Sequence, residues 1–173
     1  MREVIRSNDV EIKTFSANQV IIRGSGDSKF NNLLNKKLKL LPPSDNLRVV
    51  SDDSHILAKL SFDQWNLIFL GKNEDLKAQN FCQEINENSD LLATNISDAQ
   101  VFFQISGENT YSMLNKLTHF DFREKNFKPM TAAQTLMARI DCNFYKLNNH
   151  LLVSCNRSFS DYLEDRLIDA VNF

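Results

Sequence analysis

The sequence has no strong charge of either sign, little glycine or proline, and no long apolar run. Its 173 residues carry 20 Lys and Arg against 22 Asp and Glu, a net charge of −2, which argues against a nucleic-acid binder working through a basic surface. No stretch approaches the roughly 18 apolar residues that a membrane helix needs. The first residues, MREVIRSNDVEIK, have no apolar core behind their charges, so no secretory signal is expected and the location expected is cytoplasmic. Four glycines and three prolines leave little room for linkers or low-complexity segments. The three cysteines, Cys82, Cys142 and Cys155, are odd in number and none lies in a C-x-x-C pair. Reduced thiols are therefore expected, and neither a disulfide framework nor a zinc site. His55, His119 and His150 are equally scattered, and no metal site is expected.

The common catalytic motifs are missing too. Gly24-Ser25-Gly26 has the look of a phosphate-binding turn, but Lys29 stands where a dinucleotide fingerprint needs its third glycine, and Gly-Asp-Ser-Lys is not a Walker A loop. No G-x-S-x-G elbow is present, so a nucleophilic triad has no scaffold. Trp65, the only tryptophan, is expected to fill core volume. No catalytic, cofactor-binding or metal-ligating residue is assigned.

What the sequence does contain is a repeat. VIIRGSGDSKFNNLLNKKL from Val20 aligns with VFFQISGENTYSMLNKLTH from Val101, so that Gly26 meets Gly107, Asp27 meets Glu108 and Leu33 meets Leu114. Each copy suggests a strand, a tight Ser-Gly turn and an amphipathic helix with an acid in its first turn. Phe30, Leu33, Leu34 and Leu38 fall on one helical face, and Tyr111, Leu114 and Leu117 continue the same stripe more weakly. Further strands are expected over Val10 to Phe15, Leu91 to Ile96, Ile56 to Leu70 and Thr135 to Cys155. Their turns are placed near Asp63-Gln64, at Asp141-Cys142 and at Asn148-Asn149. A helix from about Glu74 to Ile85 would bury Ala78, Phe81, Cys82 and Ile85. A last helix would start after Ser158 with a Ser158/Asp161 capping box and bury Phe159, Leu163, Leu167 and Ala170. The pattern, ββα-βββα in each half, predicts an α+β fold: one domain over 1–173 with repeat halves at about 10–86 and 89–171.

Four segments carry a resemblance. Leu60-Ser61-Phe62-Asp63-Gln64-Trp65-Asn66-Leu67-Ile68 resembles L-G-P-D-E-W-L-L-L. Ser97-Asp98 followed by Ile105-Ser106-Gly107 resembles V-S-D…L-S-G. Phe127-Lys128-Pro129-Met130 with Ala133-Gln134-Thr135 resembles F-P-P-G-x-C-A-Q-T. Arg157-Ser158-Phe159 with Tyr162-Leu163 and Leu167-Ile168-Asp169-Ala170 resembles R-S-F-A-x-Y-L…L-L-D-A. Those are patterns of the gamma subunit of heterotetrameric sarcosine oxidase. Ser61-Phe62 replace Gly-Pro and Met130 replaces a glycine, which implies altered turns on an unchanged fold. The resemblance implies a duplicated β2-α-β3-α unit like the folate-binding domain of aminomethyltransferases, with the halves exchanging first strands. It also implies a non-catalytic subunit docked on the alpha subunit, with beta and delta in the assembly. The complex would oxidise sarcosine to glycine, give hydrogen peroxide and pass the one-carbon unit to tetrahydrofolate. FAD, FMN, NAD and tetrahydrofolate would then sit in alpha and beta, zinc in delta, and no cofactor in this chain. Two related readings stay open: a gamma-like subunit of another N-methyl amino acid dehydrogenase, and a free-standing folate-binding one-carbon protein. The second needs a pterin-reading acid, and Asp63, Asp98 and Asp141 are equal candidates.

The long connection THFDFREKNFKPMTA is the expected docking surface. Connections this long without regular structure are often functional, and this one carries Phe120, Phe122, Phe127, Pro129 and Met130. Aromatics and methionine are enriched in interface cores. The opposing expectation is that the phenylalanines fold back onto the core.

Overall fold

A computed structural model describes residues 1–71 and 74–173. The strands are β1 (Arg2–Ser7), β2 (Val10–Phe15), β3 (Asn18–Arg23), β4 (Arg48–Ser51), β5 (His55–Ser61), β6 (Gln64–Phe69), β7 (Leu92–Asn95), β8 (Gln100–Ser106), β9 (Thr131–Met137), β10 (Ile140–Lys146) and β11 (Leu151–Asn156). The α-helices are α1 (Ser28–Leu38), α2 (Asp75–Asn86), α3 (Thr110–Leu114) and α4 (Ser160–Asn172). The chain divides into two compact units, 17–98 and 1–16 with 99–173.

This is a largely β structure, and the α+β expectation, with its duplicated β2-α-β3-α folate-binding-like architecture, is overturned. Among the described residues, eleven strands in antiparallel sheet outnumber four α-helices. Two strands went unforeseen: β1, REVIRS, is mostly charged and polar, and β4, RVVS, is only four residues long. The expected helix of the second repeat lasts five residues, Thr110–Leu114, too short to cover a sheet face by itself.

In the continuous unit the strand order is β4-β5-β6-β3-β7. The edge strand β7 lies against β3, with Ile22 opposite Ala93 and Val20 opposite Asn95. One sheet face buries Val20, Ile22, Leu57, Trp65, Leu67 and Phe69 against Phe30, Leu34 and Leu38 of α1 and Ala78, Phe81, Cys82 and Ile85 of α2. Period-two side chains of the strands meet period-3.6 side chains of the helices, which is the condition for one shared core. Trp65 is fully buried, with the Phe30 ring at 4.4 Å and the Lys59 ammonium 5.0 Å from its ring centre. Asp27 is the N-cap of α1, accepting from the Phe30 N–H at 2.8 Å, so the acid precedes the first turn and does not sit in it.

In the other unit the order is β1-β2-β8-β11-β10-β9. β2 pairs with β8, Ile12 opposite Ile105, although the whole other unit separates them in sequence. The core holds Ile12, Phe103, Ile105, Leu114, Phe144, Val153, and Leu163, Leu167 and Ala170 of α4. The expected capping box is absent. Asn156 caps instead, accepting from the Ser158 N–H at 3.0 Å, and a 3-10 turn over Arg157–Phe159 leaves Phe159 exposed. The turn expected at Asp141-Cys142 lies at Ala138-Arg139, and Cys142 sits inside β10 opposite Cys155.

All three cysteines are buried free thiols. Burial, helped by the neighbouring Cys155 sulfur, pushes the Cys142 thiol up to about 12, and burial alone pushes Cys155 up to about 11. Both stay protonated at neutral pH, and the thiolate is the reactive form. Under native conditions a thiol-specific disulfide reagent should therefore label Cys142 and Cys155 only at the rate of unfolding, with full labelling in denaturant. Prompt labelling of either would show that its strand opens locally.

Candidate functional site

The connection 115–130 is built on hydrogen bonds that its own polar residues supply. The Asp121 carboxylate accepts from the Arg123 backbone N–H at 3.0 Å, from Arg123 Nε at 2.8 Å and from the Asn126 amide. The Arg123 guanidinium holds the Asp121 carboxyl well below the usual carboxylate range. Phe127 N–H donates to Arg123 O at 2.9 Å. Lys146, almost fully buried, donates from Nζ to Phe127 O at 2.6 Å and lies 4.8 Å from the Tyr111 ring centre. That carbonyl and the rings replace the water the ammonium gives up.

These bonds turn the phenylalanines inward. Phe122 and Phe127 are core residues, and half-buried Phe120 leans on both, with ring centres at 4.9 and 5.3 Å. Phe122 also meets Phe144 at 4.9 Å. The edge-on arrangement of the three loop rings is the favourable one for aromatic pairs. Phe122 and Phe127 thus have no face to offer a partner, while Pro129 and Met130 are half-buried. The outer side of the loop is charged: Arg123, Glu124, Lys125 and Lys128 are exposed. Met130 has a φ of +57°. It stands where the resemblance expects glycine, so the left-handed backbone has been kept without the residue that adopts it most freely.

Exposed apolar side chains lie elsewhere. Leu136 is 54% and Tyr162 44% exposed, and both line a cleft of about 440 Å³ together with Asn115, Lys116, Leu117, Thr118, His119, Ala138, Arg139 and Arg166. Sequence reasoning missed them, although a signal existed. Period two puts Leu136 on the face of exposed Gln134, and the 3.6 period puts Tyr162 off the Leu163–Leu167–Ala170 stripe. Phe62 is 78% exposed at the tip of the β5–β6 hairpin, where the resemblance expects proline.

The sequence model of the sarcosine oxidase, gamma subunit family matches residues 23–172. The chain belongs to the sarcosine oxidase gamma subunit family. Among solved structures, this gamma-family chain is similar to a chain of the heterotetrameric sarcosine oxidase from Corynebacterium sp. U-96 in complex with pyrrole 2-carboxylate, with a TM-score of 0.84 at 17% identity over 98% of this chain and 87% of that one. It is also similar to the glycine cleavage system aminomethyltransferase T from Bartonella henselae, with a TM-score of 0.65 at 12% identity over 95% of this chain and 46% of that one. The regulatory subunit of aspartate kinase from Thermus thermophilus gives a TM-score of 0.53 at 10% identity over 92% and 96%. At these identities the likeness is one of fold. No curated protein matches in sequence.

The positions weighed from the sequence for a phosphate, a metal or a pterin are engaged or exposed as follows. A phosphate at the N-terminus of α1 would meet the Asp27 carboxylate, which already takes the Phe30 N–H. Zinc finds no cluster of three His, Cys, Asp or Glu among the described residues. A pterin needs a buried acid, but Asp98 and Asp141 are exposed, and half-buried Asp63 is paired with Arg23 at 2.8 Å.

Proposed function

We propose that this chain is the non-catalytic gamma subunit of a heterotetrameric enzyme that oxidises the N-methyl group of sarcosine, with oxygen as electron acceptor and tetrahydrofolate as one-carbon acceptor. The family match across 23–172 carries that reading. In it, the chain docks on the alpha subunit, beta and delta complete the assembly, and FAD, FMN, NAD, tetrahydrofolate and zinc belong to those partners. The buried, unpaired thiols agree with a reducing, cytoplasmic setting. No helix among the described residues is long and apolar enough to cross a membrane.

Measurements on the chain alone and together with its partner test it. Alone, it should be colourless and inactive toward sarcosine. Expressed with the alpha subunit, it should co-purify in a fixed ratio. Stoichiometric flavin absorbance in the isolated chain, or no co-purification, overturns the reading. Titration with tetrahydrofolate should give no specific heat. Micromolar binding lost on substituting Asp63, Asp98 or Asp141 would favour a folate-binding protein instead.

A further inference from the structure

We infer that the cleft bounded by the 115–119 segment, the tip of the β9–β10 hairpin and α4 is the seat of an acidic segment of the partner subunit, whose carboxylate Arg139 grips while its apolar flank lies on Leu136 and Tyr162. The inference rests on the subunit reading above and gives the docking a place and a chemistry.

Charge is the first support. The lining holds Lys116, Arg139, Arg166 and His119 and no carboxylate. Two of these charges are already committed. Lys116 Nζ donates to Ala170 O at 2.9 Å, and Arg166 pairs with Asp169 at 2.8 Å. Arg139 has no hydrogen bond or ion pair among the described residues. A guanidinium presents a planar fork of donors that matches one carboxylate in a bidentate pair. A lone fork beside exposed leucine and tyrosine suits a short peptide segment carrying one acid. A nucleic acid would demand a broad basic surface, whereas the chain carries a net charge of −2.

Backbone strain is the second support. Ala138 and Arg139 form the two-residue loop between paired Met137 and Ile140, with φ of +50° and +71°. Such a loop is the hairpin turn that favours Asn-Gly, because both central residues must adopt positive φ. The β1–β2 hairpin solves the same problem with Asn8 and Asp9, at φ of +53° and +57°. At 138–139 the chain instead keeps an alanine and an arginine in the costly conformation. The turn is locked from both sides: Ala138 N–H donates to Leu117 O at 2.8 Å and accepts at its own carbonyl from Tyr162 Oη at 3.0 Å. A rigid turn with disfavoured residues and an uncommitted side chain is strain retained for a use.

The test uses the full chain with the alpha subunit, reading the affinity between the two and the melting temperature of the chain alone. Ala138→Asn combined with Arg139→Gly installs the favoured turn and removes the fork. Its melting temperature should rise by roughly 2–4 °C, while its affinity for alpha should fall about tenfold or more. Arg139→Glu should fall further, and Arg139→Lys should retain part of the affinity. Wild-type affinity in the Asn-Gly variant overturns the cleft as the docking site and leaves the subunit reading standing. Failure of the wild-type chain to bind alpha overturns both.

Discussion

Phe122→Ala should destabilise the chain by about 3–5 kcal/mol, the range for emptying a fully buried aromatic site. The residue has no exposed surface, and its ring touches those of Phe120, Phe127 and Phe144. The cavity would be hard to refill. Phe144 is fixed in β10, and Phe127 is fastened by the Lys146 bond to its carbonyl. Urea denaturation of the isolated chain checks the value, with Phe120→Ala as the milder companion because that ring is only half-buried. A loss below about 1 kcal/mol for Phe122→Ala would mean that the loop lies outside the cooperative core. The same contacts decide how assembly tests should be designed: Phe122→Asp or Phe127→Asp would report on folding first, so docking is better probed at Arg139.

Gly107→Ala should be at least as damaging, and far worse than Gly26→Ala. Both glycines have positive φ, +118° and +69°. A methyl at Gly107 would come within 1.9 Å of the Asp9 carbonyl oxygen. The hairpin carrying Asp9 cannot easily retreat, because Asn8 Nδ2 donates to Val171 O at 2.7 Å and Asn109 Nδ2 donates to Asn8 O at 2.9 Å. At Gly26 the nearest atom is the far edge of the Trp65 ring at 2.9 Å, and the left-handed backbone alone costs about 1–2 kcal/mol. We expect Gly107→Ala to lose about 3 kcal/mol or more, and Gly26→Ala about half of that. Equal losses in a denaturant titration would show that the hairpin yields.

The sequence made those elements legible whose local signal agreed with their tertiary setting. The strand at Val10–Phe15 and the turn before β11 lie where the pattern puts them. The buried stripe of α2 is the predicted Ala78, Phe81, Cys82 and Ile85, and Phe30, Leu34 and Leu38 of α1 are buried as expected. Where local chemistry and fold disagree, the reading failed. Asp141 is a favoured turn residue and drew the expected turn to Asp141-Cys142, while the true turn holds Ala138-Arg139, a pair without turn propensity. Ser158 and Asp161 have the capping spacing, but Asn156 reaches the free N–H first. In the charged β1 the two apolar residues, Val4 and Ile5, stand side by side, which leaves no period-two alternation to detect. At the candidate site, the apolar content of the loop allowed either an exposed docking surface or rings folded back onto the core, and a clasp of Asp121, Arg123 and Asn126 folds Phe122 and Phe127 inward. A polar clasp separated by one or two residues from the rings it turns leaves no periodic trace.

The division of the chain into a continuous and a split unit has a consequence for its synthesis. Residues 17–98 make up a whole unit, so everything that stretch needs has left the ribosome once it is translated. The β1–β2 hairpin emerges before that stretch, but β2 pairs with β8, which is made after it. At ordinary elongation rates the nascent hairpin waits roughly 5–20 s for its neighbour. During that interval Val10 and Ile12, later core residues, face solvent on a two-stranded ribbon of marginal stability. The charges of β1, Arg2, Glu3 and Arg6, then guard the outer edge of a ribbon whose inner edge is still open. An interval of that length is a natural window for chaperone contact, and it closes only when β8 arrives.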